Sequence, residues 1–129
     1  MNANAQSIVV TGAVLALLGV ALGAFGAHAL KSRLDADLLA VYQTGVQYHL
    51  AHALGIILIG VLVHMLPAAK WLPAAAWTMT AGVVIFSGSL YLLSITGIRV
   101  LGAVTPIGGV ALLAAWLMLA IGVANAGSA

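Results

Sequence analysis

The sequence predicts an all-α, polytopic membrane protein: an antiparallel bundle of four transmembrane helices, with a short interfacial helix between spans 1 and 2. Two observations predict this fold. Hydrophobic residues make up 64% of the 129 residues and charged residues only 5%, whereas a soluble domain carries roughly a quarter charged residues. Four apolar stretches, each near the ~20 residues that cross a bilayer, fill almost the whole chain, which we take as one transmembrane domain (1–129).

The charge and cysteine counts exclude several classes of function. The net charge of +2 is too small to indicate a nucleic-acid partner, and the chain has no cysteine for disulfides or thiolate metal sites. Four spans with short connections leave no room for a soluble catalytic domain. We therefore expect lipid to be the main surrounding of this chain and an enzyme to be the less favoured interpretation.

The first predicted span covers about residues 7–29 and carries a regular row of small residues. We call this row the glycine seam; its members, spaced four, three, four and three apart, are Gly12, Ala16, Gly19, Gly23 and Gly26. Such spacing places all of them on one face of a helix. Because no hydrophobic force joins helices in lipid, small residues favour close helix contact. Gly108 and Gly109 are further candidates for helix packing.

The remaining elements follow from the breaks between apolar stretches. The segment 31–37 holds four of the six charges, and the helical pattern from 38 to 46 predicts the interfacial helix. Spans 2, 3 and 4 are predicted at about 46–66, 74–95 and 107–125. Pro67 and Pro73 bracket one connection, and Pro106 suits the start of the fourth helix.

The distribution of cations predicts the orientation. Lys31, Arg33 and Arg99 lie in the first and third connections, which share one side of the membrane, and only Lys70 lies on the other. Cytoplasmic loops are enriched in Lys and Arg. The sequence therefore predicts a multi-pass protein of the cytoplasmic (inner) membrane with both termini on the non-cytoplasmic side.

Polar side chains within the spans gather toward the side of the first and third connections. The members of this predicted polar cluster are His28, Gln47, Tyr48, His49, His52, Ser87, Ser89, Tyr91 and Thr105. Placing polar groups in hydrocarbon costs free energy, so their presence in the spans requires an explanation. One interpretation is that they hydrogen-bond to each other and to backbone carbonyls and so hold the helices together; the other is that they form a site for haem, quinone, a metal ion or a proton.

Specific versions of the second interpretation use the histidines. His49 and His52 could bind a metal ion from one helix face with His28 as a third ligand, although no carboxylate accompanies them. His28 and one histidine of the second span could instead ligate haem, and His52 with Tyr48 could relay a proton because histidine titrates near neutral pH. No cofactor is firmly implied, and no catalytic residue is assigned, since Ser87 and Ser89 lack an evident base.

Several segments together resemble a known family. They are GAFGAHALK (23–31), QYH (47–49), HAL (52–54), FSGSLY (86–91) and TPIGG (105–109). In this order they resemble the domain-of-unknown-function family 423, over about residues 12–116. The resemblance implies a small multi-helix integral membrane protein and supplies no activity.

Three functions remain open at this stage. The first is an association, assembly or accessory subunit that works through helix packing, as a homo-oligomer or with another membrane protein. The second is a binding or redox module that uses the polar cluster. The third is an oligomeric channel or small transporter, whose pore would lie at an oligomer axis because four helices make a thin bundle.

Overall fold

The computed structural model describes residues 1–127 and consists of four long helices. They are α1 (Ala3–Phe25), α2 (Ala36–Met65), α3 (Trp71–Thr96) and α4 (Thr105–Ala126). A π-helical turn, Gly26–Leu30, extends α1, and a 3₁₀ turn, Arg99–Ala103, precedes α4. All four are long and apolar enough to cross a membrane, which confirms the predicted four-helix membrane fold.

The polar and special residues of the connections define where the helices begin and end. The Asp35 side chain accepts a hydrogen bond of 2.9 Å from the Leu38 N–H and so caps the start of α2. Gly97 has a φ of 72° and ends α3 in the left-handed conformation that favours glycine. Pro106 lies in the first turn of α4, where its missing N–H costs no helical bond.

The region between spans 1 and 2 differs from the prediction in one detail. The segment 38–46 is helical, as expected, but it is continuous with α2 and forms no separate interfacial helix. No proline interrupts it, and Gly45 is buried against the ring of Tyr91. The helix therefore runs on through Gly45, packed against α3, where the pattern suggested a turn.

The helices pack in chain order, α1 on α2, α2 on α3 and α3 on α4, and α1 makes little contact with α4. In the most apolar windows of α2 and α3, 44% of residues are buried, against 17% in α1 and 22% in α4. Consequently α2 and α3 form the centre of the protein, and α1 and α4 flank it. Both flanking helices leave a broad apolar surface for lipid or for other helices.

The interior has two chemically different halves. The half beside the connection between α2 and α3 is aliphatic; it includes Ala5, Ile8, Ile56, Ile59, Val63, Leu72, Ala75, Ala76 and Met79. The half beside the other two connections contains the buried polar side chains, which are Tyr42, His49, Ser87, Ser89 and Ser94. His52 lies between them, near the middle of α2. We call these the aliphatic half and the polar half.

Candidate functional site

His49 joins three helices in the polar half. Its Nε2 lies 2.7 Å from the backbone oxygen of Leu15 in α1, and its Nδ1 lies 2.8 Å from the Tyr91 hydroxyl in α3. A carbonyl only accepts hydrogen bonds, so Nε2 carries the proton. In the neutral ring, Nδ1 then accepts from the Tyr91 hydroxyl, and both ring nitrogens are occupied.

Tyr42 and Ser87 add two further bonds between helices. The Tyr42 hydroxyl donates to the Leu22 oxygen of α1 at 2.5 Å, and its ring lies 5.2 Å from that of Tyr91. The Ser87 hydroxyl of α3 donates to the Gly45 oxygen of α2 at 2.8 Å. Together with His49, these residues tie α2 to both of its neighbours through backbone carbonyls.

Two members of the glycine seam expose the carbonyls that accept these bonds. Gly19 lies one helical turn after Leu15, and Gly26 one turn after Leu22. A Cβ on Gly19 would lie 3.3 Å from the His49 ring and 2.7 Å from Leu50. A Cβ on Gly26 would overlap the Tyr42 ring. These glycines therefore open a path for α2 donors to reach the α1 backbone.

Gly12 and Gly23 of the seam also face α2. A Cβ on Gly12 would lie 2.9 Å from the Ala53 oxygen, and one on Gly23 would lie 3.2 Å from Val46. Ala16 is partly buried. The seam thus sets how closely α1 approaches α2.

His52 links α2 to α4. Its Nδ1 lies 2.7 Å from the Tyr48 oxygen, and the indole N–H of Trp116 donates to its Nε2 at 3.0 Å. The carbonyl can only accept and the indole can only donate. The ring is therefore neutral with its proton on Nδ1, the opposite tautomer from His49.

Trp116 is the residue that sequence reasoning missed. Tryptophan is typical of the membrane boundary, yet Trp116 lies near the middle of α4. The sequence did contain a signal for this bond: Trp116 lies in the middle of one span and His52 in another, and an indole N–H in that position needs an acceptor. Its bond to His52 explains how the indole N–H is satisfied at that depth.

Ser89 and Thr105 connect α3 to α4 at the polar end. Their hydroxyl oxygens lie 2.6 Å apart, and Ser89 also donates to the Phe86 oxygen at 2.8 Å. Gly108 lies directly against the Phe86 backbone, where a Cβ would overlap it, and Gly109 would place a Cβ 3.8 Å from the Phe86 ring. The contact between α3 and α4 is therefore held both by the close backbone approach at Gly108 and by the hydrogen bond between Ser89 and Thr105.

Three predicted cluster residues lie outside the hydrogen-bonded interior. His28 is exposed in the π-helical turn, Gln47 is exposed on α2, and Tyr48 is 43% exposed. His28 does not join His49 and His52, and within residues 1–127 no group of three or more His, Asp or Glu side chains could hold a metal ion. The π-turn places His28 on the outside, so the predicted pairing of His28 with a second-span histidine is not formed.

An aromatic cleft of about 450 Å³ opens between α2, α3 and α4. Its aromatic walls are Tyr48, His52, Phe86 and Trp116. The rings of Tyr48 and Phe86 lie 4.5 Å apart, and those of Tyr48 and His52 are stacked at 5.8 Å. The Tyr48 hydroxyl makes no hydrogen bond to the described residues, so it is the polar group that this cleft leaves available.

A comparison with protein families identifies the family of this chain. The family described as "Protein of unknown function (DUF423)" matches residues 22–109, a range that covers more than half of the chain and contains every residue of the predicted polar cluster. The chain belongs to this family. The resemblance seen in the sequence motifs is therefore confirmed, whereas Trp116 lies beyond the matched range.

Curated relatives of this chain are named as membrane proteins. The UPF0382 membrane protein YwdK of Bacillus subtilis is 49% identical over 113 residues, covering 88% of this chain and 92% of its own length. The UPF0382 inner membrane protein YgdD of Escherichia coli K12 is 36% identical over 119 residues, covering 92% of this chain and 90% of its own length. No solved structure matches this chain.

Proposed function

We propose that this chain is a non-enzymatic membrane protein that acts by association, as a homo-oligomer or as an accessory or assembly subunit of a larger membrane complex. One observation carries the proposal. Every buried side-chain nitrogen and oxygen in residues 1–127 has a hydrogen-bond partner within the protein. The polar half thus uses its donors and acceptors to hold helices together and leaves none of the buried ones for a substrate.

The shape of the molecule supports the same proposal. The helices are joined by connections of a few residues, so the described part of the chain offers partners its helix surfaces and little else. Leu17, Val20 and Leu113 are each more than 60% exposed on the flanking helices. Contacts with other membrane proteins would therefore be made within the bilayer.

We further propose the cytoplasmic membrane as its location, with the termini outside. The Escherichia coli relative is named an inner membrane protein, and three of the four Lys and Arg residues lie on one side, in the connections 31–35 and 97–104. Reporter fusions at residues 33, 70 and 127 test this: a cytoplasmic reporter is expected to be active at 33 and inactive at 70 and 127.

Purification in a mild detergent tests the association directly. Tagged protein is extracted from native membranes and analysed by native mass spectrometry. We expect a defined homo-oligomer or a stoichiometric second protein. A monomer without a partner, obtained after cross-linking in intact membranes as well, would contradict the proposal.

A second candidate function rests on the aromatic cleft. The free Tyr48 hydroxyl, in a cleft whose other aromatic walls are His52, Phe86 and Trp116, suits a flat, lipid-soluble ring with a carbonyl acceptor, such as a quinone. In a variant with Trp71→Phe and Trp77→Phe, Trp116 is the remaining indole. Quenching of its fluorescence by a quinone analogue, lost in Tyr48→Phe, is expected. Haem and metal ligation are less favoured because His49 and His52 have no free ring nitrogen.

A further inference from the structure

The aromatic cleft between α2, α3 and α4 is elongated along α4. Its lining residues on this helix recur every one to three positions along one side; they are Pro106, Gly109, Val110, Leu113 and Trp116. At 1.5 Å of rise per residue these positions extend over about 15 Å. The cleft therefore runs parallel to the helix axis, which suits an elongated ligand.

Only one end of the cleft offers a free hydrogen-bonding group. Tyr48 and Phe86 line the end near the start of α4, where Gly109 faces the Phe86 ring, and the Tyr48 hydroxyl makes no hydrogen bond within residues 1–127. At the other end the Trp116 N–H donates to His52, whose second ring nitrogen is bonded to a backbone oxygen. The polar group of a ligand is therefore held at the Tyr48 end, and an apolar part suits the Trp116 end.

The direction of the cleft matches the order of groups in a membrane amphiphile. Pro106 lies in the first turn of α4, close in sequence to Arg99, whereas Trp116 lies ten residues further along a helix without charged side chains. Val110 and Leu113 are 66% and 73% exposed, so the rim of the cleft faces lipid and a chain can enter from the side. A polar head near the connection and a chain along the apolar helix fit this arrangement.

We propose that the cleft binds a quinone that carries a linear hydrocarbon chain, with the ring at Tyr48 and the chain along α4 toward Trp116. The Tyr48 hydroxyl donates to a ring carbonyl, and the ring packs beside Phe86. The chain lies against Leu113 and the indole, where it leaves no donor or acceptor unpaired. The inference rests on the second candidate function and adds the chain and its direction to the ligand.

Photoaffinity labelling in lipid bilayers tests the direction. Two decyl-substituted benzoquinones carry a diazirine, one on the ring and the other at the far end of the chain, and mass spectrometry locates the labelled residues. We expect the ring probe to label positions 106–110 of α4 and the chain probe to label positions 113–117. The reverse pattern, or chain labelling spread equally over all four helices, overturns the proposal.

Variants at the ring end test the hydrogen bond and the space beside it. Tyr48→Phe removes the donor and is expected to lower labelling by both probes about fivefold. Gly109→Leu is expected to act in the same direction, because its Cβ position lies 3.8 Å from the Phe86 ring and the rest of the side chain would fill the space there. Gly88→Leu is the control, since nothing lies within 4 Å of its Cβ position and Gly88 does not line this cleft. Unchanged labelling in Tyr48→Phe and Gly109→Leu overturns the proposal.

Competitors distinguish a quinone with a chain from a lipid chain alone. Decyl benzoquinone without a diazirine is expected to suppress labelling by both probes. Decylbenzene, which has the chain and no carbonyl, is expected to leave labelling unchanged. If decylbenzene competes as well as the quinone, an acyl chain of the bilayer fills the cleft and the proposal is wrong.

The outcomes also separate this inference from the second candidate function. If a benzoquinone without a chain quenches Trp116 and Tyr48→Phe abolishes that quenching, while the chain probe does not label positions 113–117, the cleft binds a ring and the chain path is wrong. If neither quenching nor labelling occurs, both are wrong.

Discussion

The two halves of this bundle are held together by different interactions. In the aliphatic half, Ile56, Ile59 and Met79 meet other apolar side chains and are fully buried. In the polar half, the single residue His49 bonds to both α1 and α3. Lipid is as apolar as leucine, so aliphatic contact gives only dispersion and close packing. This difference shows that the polar half supplies directional hydrogen bonds. These bonds fix the register of neighbouring helices, because each donor reaches one particular backbone oxygen.

The comparison also explains where glycines are needed. In the aliphatic half Gly60 brings Val9 close, with a Cβ position 2.6 Å from its side chain. In the polar half Gly19 and Gly26 do more, because they also expose the backbone oxygens of Leu15 and Leu22. The same residue type therefore serves packing in one half and hydrogen bonding in the other.

The largest expected effect comes from filling the closest helix contact of the polar half. In Gly108→Val the new side chain would overlap the Phe86 backbone, so α4 must move away from α3 and the Ser89–Thr105 bond must lengthen. We expect the free energy of unfolding to fall by about 3 kcal/mol, measured by titration with sodium dodecyl sulfate in bicelles. Gly88→Val is the control, since nothing lies within 4 Å of its Cβ position. A similar loss in both variants would contradict the close contact.

Removing His49 is expected to be the next largest effect. His49→Leu leaves the Tyr91 hydroxyl without its partner, which costs about 2 kcal/mol of unfolding free energy. Tyr91→Phe added to His49→Leu removes the unpaired hydroxyl and should recover part of that loss. Ile56→Val, a methylene removed from the aliphatic half, should cost about 1 kcal/mol. If His49→Leu costs less than Ile56→Val, the polar half does not have the role given to it.

The bond between α2 and α4 is expected to contribute least. Trp116→Phe keeps an aromatic ring in the cleft and loses the donor to His52, for an expected cost of about 0.6 kcal/mol. Trp77→Phe is the matched control, because Trp77 is exposed on α3 and makes no hydrogen bond to the described residues. The same titration compares the two, and equal losses would show that the indole N–H does not matter.

Much of this fold could be predicted from sequence because hydropathy and the breaks at charged segments and prolines are local signals. The continuity of α2 could not, since the contact of Gly45 with Tyr91 of another helix is not visible in the local pattern. The gathering of polar residues toward one side followed from antiparallel topology. Their position along the helix did not: α2 begins before the predicted span, so His52 lies near the middle of the observed helix.

The partners of the polar side chains were the least predictable part of the site. Most are backbone oxygens, such as those of Leu15, Leu22 and Gly45, and a carbonyl has no sequence signature. Which carbonyl is reachable depends on helix register and on a glycine one turn later. The π-helical turn, in which His28 is exposed, also has no evident signal in the sequence.

The central claim is that His49 and His52 are structural, each with both ring nitrogens engaged by protein groups. Nitrogen-15 NMR of the imidazole rings in lipid bilayers at neutral pH tests this most directly. We predict two neutral rings in opposite tautomers, His49 with its proton on Nε2 and His52 on Nδ1, unchanged by added zinc or haem. Exchange between tautomers in either ring, or a nitrogen shift when zinc or haem is added, would contradict the account.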